Sequence, residues 1–225
     1  MKLKIMHILC EGDTELIFVQ KILKPYLLEQ GFTAVKSQKV TTNAKLKASG
    51  GVSKYSKIKK DIQNFRQSNP IVEHEQRIIT TMIDYYKFPT DSPSYEESKK
   101  IKNPYKRIQF LEEEFKKDIN DQVFVPYIQL HEIETLVFCG IEHISAFYPK
   151  TEKKCEKLIK ELNEVGNPEL INNSEQTSPS KRIERVLGHY DKPNLCKVVT
   201  ERVGVEELRR QCKHFDEWIE KLINY

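Results

Sequence analysis

Residues 3–16 read LKIMHILCEGDTEL, an almost unbroken apolar run followed at once by Glu11, Gly12, Asp13, Thr14 and Glu15. A short run with no polar face is how a strand buried on both sides of a parallel sheet reads. Beyond the acidic turn, Leu16, Val19, Leu23, Tyr26 and Leu27 recur at helical spacing, and Gly31 supplies a stop. Strand, turn and helix in that order predict an α/β unit whose first strand ends in a carboxylate.

The same alternation continues along the chain. Phe32–Val40 reads as a second strand, 41–53 as a loop, and Tyr55–Gln67 as a helix with Ile58, Ile62 and Phe65 on one face. Arg77–Ile83 is a β-branched run that ends at Asp84, a third strand. Residues 87–104 carry Pro89, Pro93 and Pro104 and read as a long excursion. Tyr105–Asn120 follows as a helix striped by Ile108, Leu111, Phe115 and Ile119, and Val123–Leu130 as a fourth strand. Pro126 lacks a ladder donor, so that strand is expected at an edge or with a bulge. Strands alternating with helices imply right-handed crossovers and a mainly parallel, four-stranded sheet flanked by helices. From Glu132 onward the pattern is helical, with Thr151–Val165, Pro179–His189 and Val205–Leu222 the clearest segments. The expected organisation is an α/β core over 1–140 and a helical extension over 141–225 packed on it.

Composition bounds the class. The chain has 225 residues, with 38% hydrophobic, 31% charged and 9% aromatic. That length buries roughly 70–75% of the unfolded surface, so no metal or disulfide is needed for a core. No apolar run approaches the ~20 residues of a membrane span. The N-terminal apolar stretch meets Glu11 and Asp13 too soon for a signal peptide. The five cysteines form no C-x-x-C pair, so a reducing, cytoplasmic setting is expected rather than a disulfide scaffold or zinc ribbon. Net charge is +4, but residues 36–60 hold eight lysines and no Asp or Glu. Such a run either steers phosphates or forms a solvated face.

Three acidic places coincide with predicted strand ends: Glu11, Asp84, and Glu132 with Glu134. Parallel strands put their carboxyl ends on one rim, where open α/β sheets bind ligands. Glu15, one helical turn after Glu11, can face the same rim. Two carboxylates ~5 Å apart repel by roughly 3 kcal/mol at an effective dielectric near 20, so convergence calls for protons, basic neighbours or a cation. All-oxygen donors suit Mg²⁺ or Mn²⁺ better than zinc. The plainer alternatives stay open: Glu11 as an acid favoured by a helix dipole, Asp13 or Thr14 as a cap, Asp84 as the start of a turn. His131-Glu132-Ile133-Glu134 begins like the zinc-protease motif, but Thr135 stands where the second histidine is needed, which excludes that class. His131 itself is either a ligand or base, or a satisfied, partly buried histidine.

The motifs together resemble a known family. Glu11-Gly12-x-x-Glu15, Thr81 through Tyr86, and Pro126 through Glu134 resemble the bacterial family labelled domain of unknown function 4276. So do Pro168-Glu169-x-Ile171-Asn172, Ser178 through Arg182, Tyr190-Asp191-Lys192 and Cys212-x-His214-Phe215-x-x-Trp218. That family is similar to Toprim domains, the metal-binding module of some nucleases, primases and topoisomerases. The resemblance implies that Glu11 is the Toprim glutamate and Asp84 the first aspartate of the D-x-D element. It departs at Tyr86, where the second aspartate would stand. Glu15, Glu132 or Glu134 is then implied to supply the missing carboxylate, as acids are added in the overcoming-lysogeny-defect branch. An ABC-type ATPase partner in a defence locus is implied as well.

The expected chemistry is phosphodiester hydrolysis of DNA or RNA. Glu11, Asp84 and Glu132 would be catalytic and hold Mg²⁺ (or Mn²⁺), with Glu15 and Glu134 assisting. Lys181 and Arg182, at a predicted helix start, and Lys192, in a predicted loop, would bind substrate. Lys181 and Arg182 pairing with Glu184 or the acidic rim is the alternative. Phe215 and Trp218 read as core. The length argues against a topoisomerase or a primase. Two other readings compete with a nuclease: a non-catalytic nucleic-acid or nucleotide binding subunit of an ATPase complex, and an interaction subunit with a vestigial rim.

Overall fold

A computed structural model describes residues 2–41, 54–70, 72–172 and 175–225. Most of the loop expected over 41–53, with Lys45 and Lys47, lies outside these residues.

The chain is α/β. Its strands are β1 (Leu3–Cys10), β2 (Ala34–Lys39), β3 (Glu75–Asp84), β4 (Phe124–Val125) and β5 (Ile128–Gln129). They form one parallel sheet in the order β2-β1-β3-β4, with β5 also on β3. The helices are α1 (Asp13–Phe18), α2 (Lys24–Glu29), α3 (Tyr55–Ser68), α4 (Tyr95–Ser98), α5 (Pro104–Ile119), α6 (Glu134–Val137), α7 (Ile144–Phe147), α8 (Glu152–Val165), α9 (Pro179–Leu187), α10 (Lys192–Val203), α11 (Val205–Gln211) and α12 (Lys213–Ile223). A π-helical turn, Val19–Leu23, joins α1 to α2.

Side-chain alternation sorts the sheet's two faces. Met6, Ile8 and Cys10 of β1 and Ile78 and Met82 of β3 join an apolar cluster that runs through Phe18, Leu23, Phe215 and Trp218. Leu9, Ile79 and Ile83 face the other way, onto Ile58 and Ile62 of α3 and Leu111 and Phe115 of α5. The C-terminal helices thus cover one face of the sheet. Trp218 is buried as expected, and its indole N–H donates to Thr80 Oγ1 at 2.9 Å. The expected boundary near residue 140 falls inside that continuous cluster, which contains Cys139 and Ile141 as well as Met6. At Gly140 the chain runs against α10: a Cβ there would lie 2.3 Å from Val203 Cγ2 and 3.0 Å from Val199 Cγ1.

Several expected elements differ in detail. The fourth strand is split into β4 and β5 at Pro126 and Tyr127. Thr81 repairs the break: its hydroxyl donates to Tyr127 O at 2.8 Å and accepts from Tyr127 N–H at 3.0 Å. The last helix is two, broken at Cys212, whose φ of −117° and ψ of 96° are extended. Glu169, fully buried, accepts from the N–H groups of His214 and Phe215 at 2.9 and 3.0 Å and so caps α12. Lys192 is not in a loop: it opens α10, with the Asp191 side chain accepting from Asn194 N–H at 3.1 Å and Pro193 in the first turn. The five cysteines are free and buried. Among the described residues no helix is long and apolar enough to cross a membrane.

Candidate functional site

The parallel register brings two of the predicted acids together. Cys10 pairs with Met82, and one residue on, the Glu11 N–H donates to Met82 O at 3.1 Å. The Glu11 carboxylate therefore lies over the end of β3, where its Oε2 accepts from Asp84 N–H at 3.1 Å. Gly12 turns the chain into α1, and its N–H donates to Glu15 Oε2 at 2.8 Å. A Cβ at Gly12 would sit 3.1 Å from that same oxygen, a tight approach, whereas the Gly12 φ of −142° is one that any residue adopts. Glu134 arrives from the start of α6. Its Oε1 takes Lys192 Nζ at 2.7 Å and the Tyr190 hydroxyl at 3.5 Å.

Glu11, Glu15, Asp84 and Glu134 are all buried. Asp84 is pushed well above the usual carboxylate range, first by burial and then by the charges of Glu15 and Glu11. Its Oδ1 is buried and has no hydrogen-bond partner. Burial, then Glu11, pushes Glu15 up to about 7. Glu11 is raised by burial but held back by Lys87, whose Nζ lies 3.1 Å from Glu11 Oε1. For Lys87, burial alone would favour the neutral amine, yet Glu11, Asp84 and Glu15 together raise its pKa. The four-acid cluster is thus kept together by protons and two lysines, Lys87 on Glu11 and Lys192 on Glu134, as like charges at short range require.

Glu132 stands apart. Its Oε2 accepts from Ser180 N–H and its Oε1 from Ser180 Oγ, both at 3.0 Å, so the carboxylate fixes the first turn of α9. Its neighbour His131 has a φ of +64°, the left-handed region that a non-glycine residue rarely occupies. The His131 imidazole is lowered to about 4 by burial and by the nearby Arg107. Of the predicted substrate cations, Lys181 pairs with Glu184 on the surface at 2.7 Å. Arg182 is buried, donating to Thr177 O at 2.8 Å and paired with Glu161. Lys192 alone of the three reaches the acidic cluster.

Above the acids opens a cleft of about 530 Å³, lined by Glu11, Glu15, Lys39, Lys87, Tyr190 and Lys192 among others. Lys87 and Tyr190 were not singled out as site residues by sequence. Lys87 sits three residues after Asp84, in the 3-10 turn Tyr85–Lys87, which carries it back over the strand end. Carboxylate oxygens and a buried, partnerless Asp84 Oδ1 fit a hard divalent cation in kind. Among the described residues, however, no three carboxylate, imidazole or thiolate groups form a ready coordination cage. Lys87 fills part of that role as the structure stands.

A family model described as Domain of unknown function (DUF4276) matches residues 10–223. No curated protein and no solved structure matches the chain.

Proposed function

The chain belongs to the DUF4276 family, and from that premise we propose that it is a metal-dependent phosphodiesterase acting on nucleic acid. The observation that carries the reading is the buried cluster of Glu11, Glu15, Asp84 and Glu134 at the strand ends, which includes the unpartnered Asp84 Oδ1 and has three lysines around its mouth.

Glu11 and Asp84 would hold Mg²⁺ or Mn²⁺, with Glu15 and Glu134 completing the donor set. A bound ion would supply activation of water and relief of charge on the leaving oxygen. The chain's own groups do the rest. Lys39, Lys87 and Lys192 present positive charge where a phosphodiester enters the cleft. Tyr190, against Glu134, fixes that carboxylate's orientation. Burial of the acids excludes bulk water from the floor, which strengthens every charge interaction there. Glu132 is left out of the donor set because it does not line the cleft and instead holds Ser180 at the start of α9. DNA or RNA as substrate, a role in antiviral defence, a cytoplasmic setting and an ABC-type ATPase partner rest on the family resemblance and belong to the same proposal.

The test is cleavage of labelled DNA and RNA with Mg²⁺ or Mn²⁺, with and without a co-expressed ATPase. Glu11→Gln is expected to lower cleavage at least about 100-fold, several kcal/mol of transition-state stabilisation, with the thermal melt retained. Wild type that cleaves no polynucleotide under any of these conditions sinks the hydrolase reading. One observation favours a second reading, a non-catalytic binding subunit: Lys87 already occupies Glu11. In that case Glu11→Gln leaves nucleic-acid binding, and its salt dependence, unchanged.

A further inference from the structure

Beside the acidic cleft lies a second, chemically different hollow of about 380 Å³. Tyr85 and Tyr86, which line it, directly follow Asp84, and His131 directly precedes Glu132. The Tyr86 N–H donates to His131 O at 3.1 Å and ties the two rim segments together. The turn Tyr85–Lys87 therefore serves both hollows: Lys87 faces the acidic cleft, while Tyr85 and Tyr86 face this groove.

Among the described residues, the lining of the groove contains no Asp or Glu. Its cations are Lys102, exposed, and Arg107, which lies 5.9 Å from the Tyr85 ring centre and donates through Nε to Ile101 O. Among the described residues neither forms an ion pair, whereas Lys39, Lys87 and Lys192 in the neighbouring cleft each have a carboxylate. The groove's walls are aromatic. Tyr86 and His131 have ring centres 5.6 Å apart at 43°, and Tyr85 stacks on Tyr95 at 6.4 Å. His131 is held in place by the Asn172 amide, 3.1 Å from its Nδ1. Arg107 and Lys102 flank the start of α5, whose backbone N–H ends favour negative charge.

We propose that this groove, formed by Tyr85, Tyr86, Lys102, Arg107, His131 and Asn172, seats an unpaired nucleobase and its phosphate next to the acidic cleft. The proposal rests on the nucleic-acid reading of that cleft and narrows it to single-stranded or locally opened substrate. A planar base meets the half-buried Tyr86 face, and the phosphate meets Lys102 and Arg107, which have no acidic partner among the described residues. A duplex does not fit this chemistry, because its bases are already stacked on each other.

The experiment is fluorescence anisotropy of a labelled oligothymidylate and of a duplex of equal length, in EDTA, for wild type, Tyr86→Ala, Tyr86→Phe and Arg107→Gln. Tyr86→Ala is expected to weaken single-strand binding about 5- to 150-fold, the range for one lost base–aromatic stack. Tyr86→Phe keeps the ring and should bind within about 2-fold of wild type by the same stacking argument. Arg107→Gln should flatten the salt dependence by about one charge. Duplex binding should be unmoved in all three, and circular dichroism melts check that each variant folds. The proposal is overturned if wild type does not bind oligothymidylate. It is equally overturned if Tyr86→Ala binds it as wild type does, or loses duplex binding by the same factor. Because EDTA removes hydrolysis from the assay, the two ideas separate. Tyr86-dependent binding without any cleavage sinks only the hydrolase, and metal-dependent cleavage with Tyr86→Ala binding unchanged sinks only the groove.

Discussion

Glu15 keeps its proton up to about pH 7, against 4.5 for an ordinary glutamate, because it is buried beside Glu11. A raised folded-state pKa means that the native chain binds more protons than the unfolded one between those two values. The contribution of Glu15 to stability is therefore complete below about pH 4.5 and lost as pH rises through about 7, a change on the order of 3 kcal/mol. Glu15→Gln should flatten that part of the metal-free stability profile, as read by urea unfolding at a series of pH values. An unchanged slope would show that Glu15 does not carry the proton. Lys87 addresses the same repulsion with a charge. Its side chain is 38% exposed, so its link to Glu11 is screened. Lys87→Met should lower stability in EDTA by only about 1 kcal/mol, while increasing the gain in melting temperature on adding Mg²⁺. A variant that melts like wild type with and without Mg²⁺ would leave Lys87 outside the cation's place. The acids were legible because each falls at the end of an apolar run. Lys87 was not, because nothing in the order Asp84-Tyr85-Tyr86-Lys87 says that a tight turn folds the lysine back onto Glu11.

At the level of elements, the family motifs late in the chain prove to be fasteners between helices and the sheet. Glu169 caps α12 through His214 and Phe215 N–H and also accepts from the Tyr105 hydroxyl at 2.9 Å. Glu169→Ala leaves buried donors without an acceptor and should cost about 2–4 kcal/mol, measured by urea unfolding. A loss under about 0.5 kcal/mol, the size of an ordinary surface change, would mean that water takes over the cap. Thr80→Val, which strands the Trp218 indole N–H, should cost about 1–3 kcal/mol in the same assay. The strand–helix alternation of the first 120 residues was readable because each period is long and clean. Two later features were not. The split of β4 from β5 depends on Thr81, more than forty positions away, and the break at Cys212 depends on Glu169. α10 was passed over although its signals are present: Asp191 is a good cap, and proline in a helix's first turn loses no bond.

For the molecule as a whole, the cluster joining Met6, Phe18, Ile141 and Trp218 makes the helical C-terminal region a wall of the core rather than an addition to it. A fragment ending at residue 140 would expose that face of the sheet. It should bind a hydrophobic dye and lack a cooperative melt, whereas the full chain unfolds in one transition. A fragment that melts cooperatively on its own would support the boundary expected from sequence. The division at 140 looked natural because strands stop and helices take over there, but a change of pattern marks a change of layer as readily as a change of domain.

The close approach at Gly140 has a mechanical corollary. α10 is a rod with Lys192 at the cleft end and Val203 against Gly140 at the other, about 16 Å away at 1.5 Å per residue. Valine side chains in a helix have essentially one rotamer and cannot step aside. One methyl group, introduced by Gly140→Ala, must lever the whole rod. The far tip, with its hold on Glu134, swings in response, so Mg²⁺ affinity measured by calorimetry should change although the substitution touches no cleft residue.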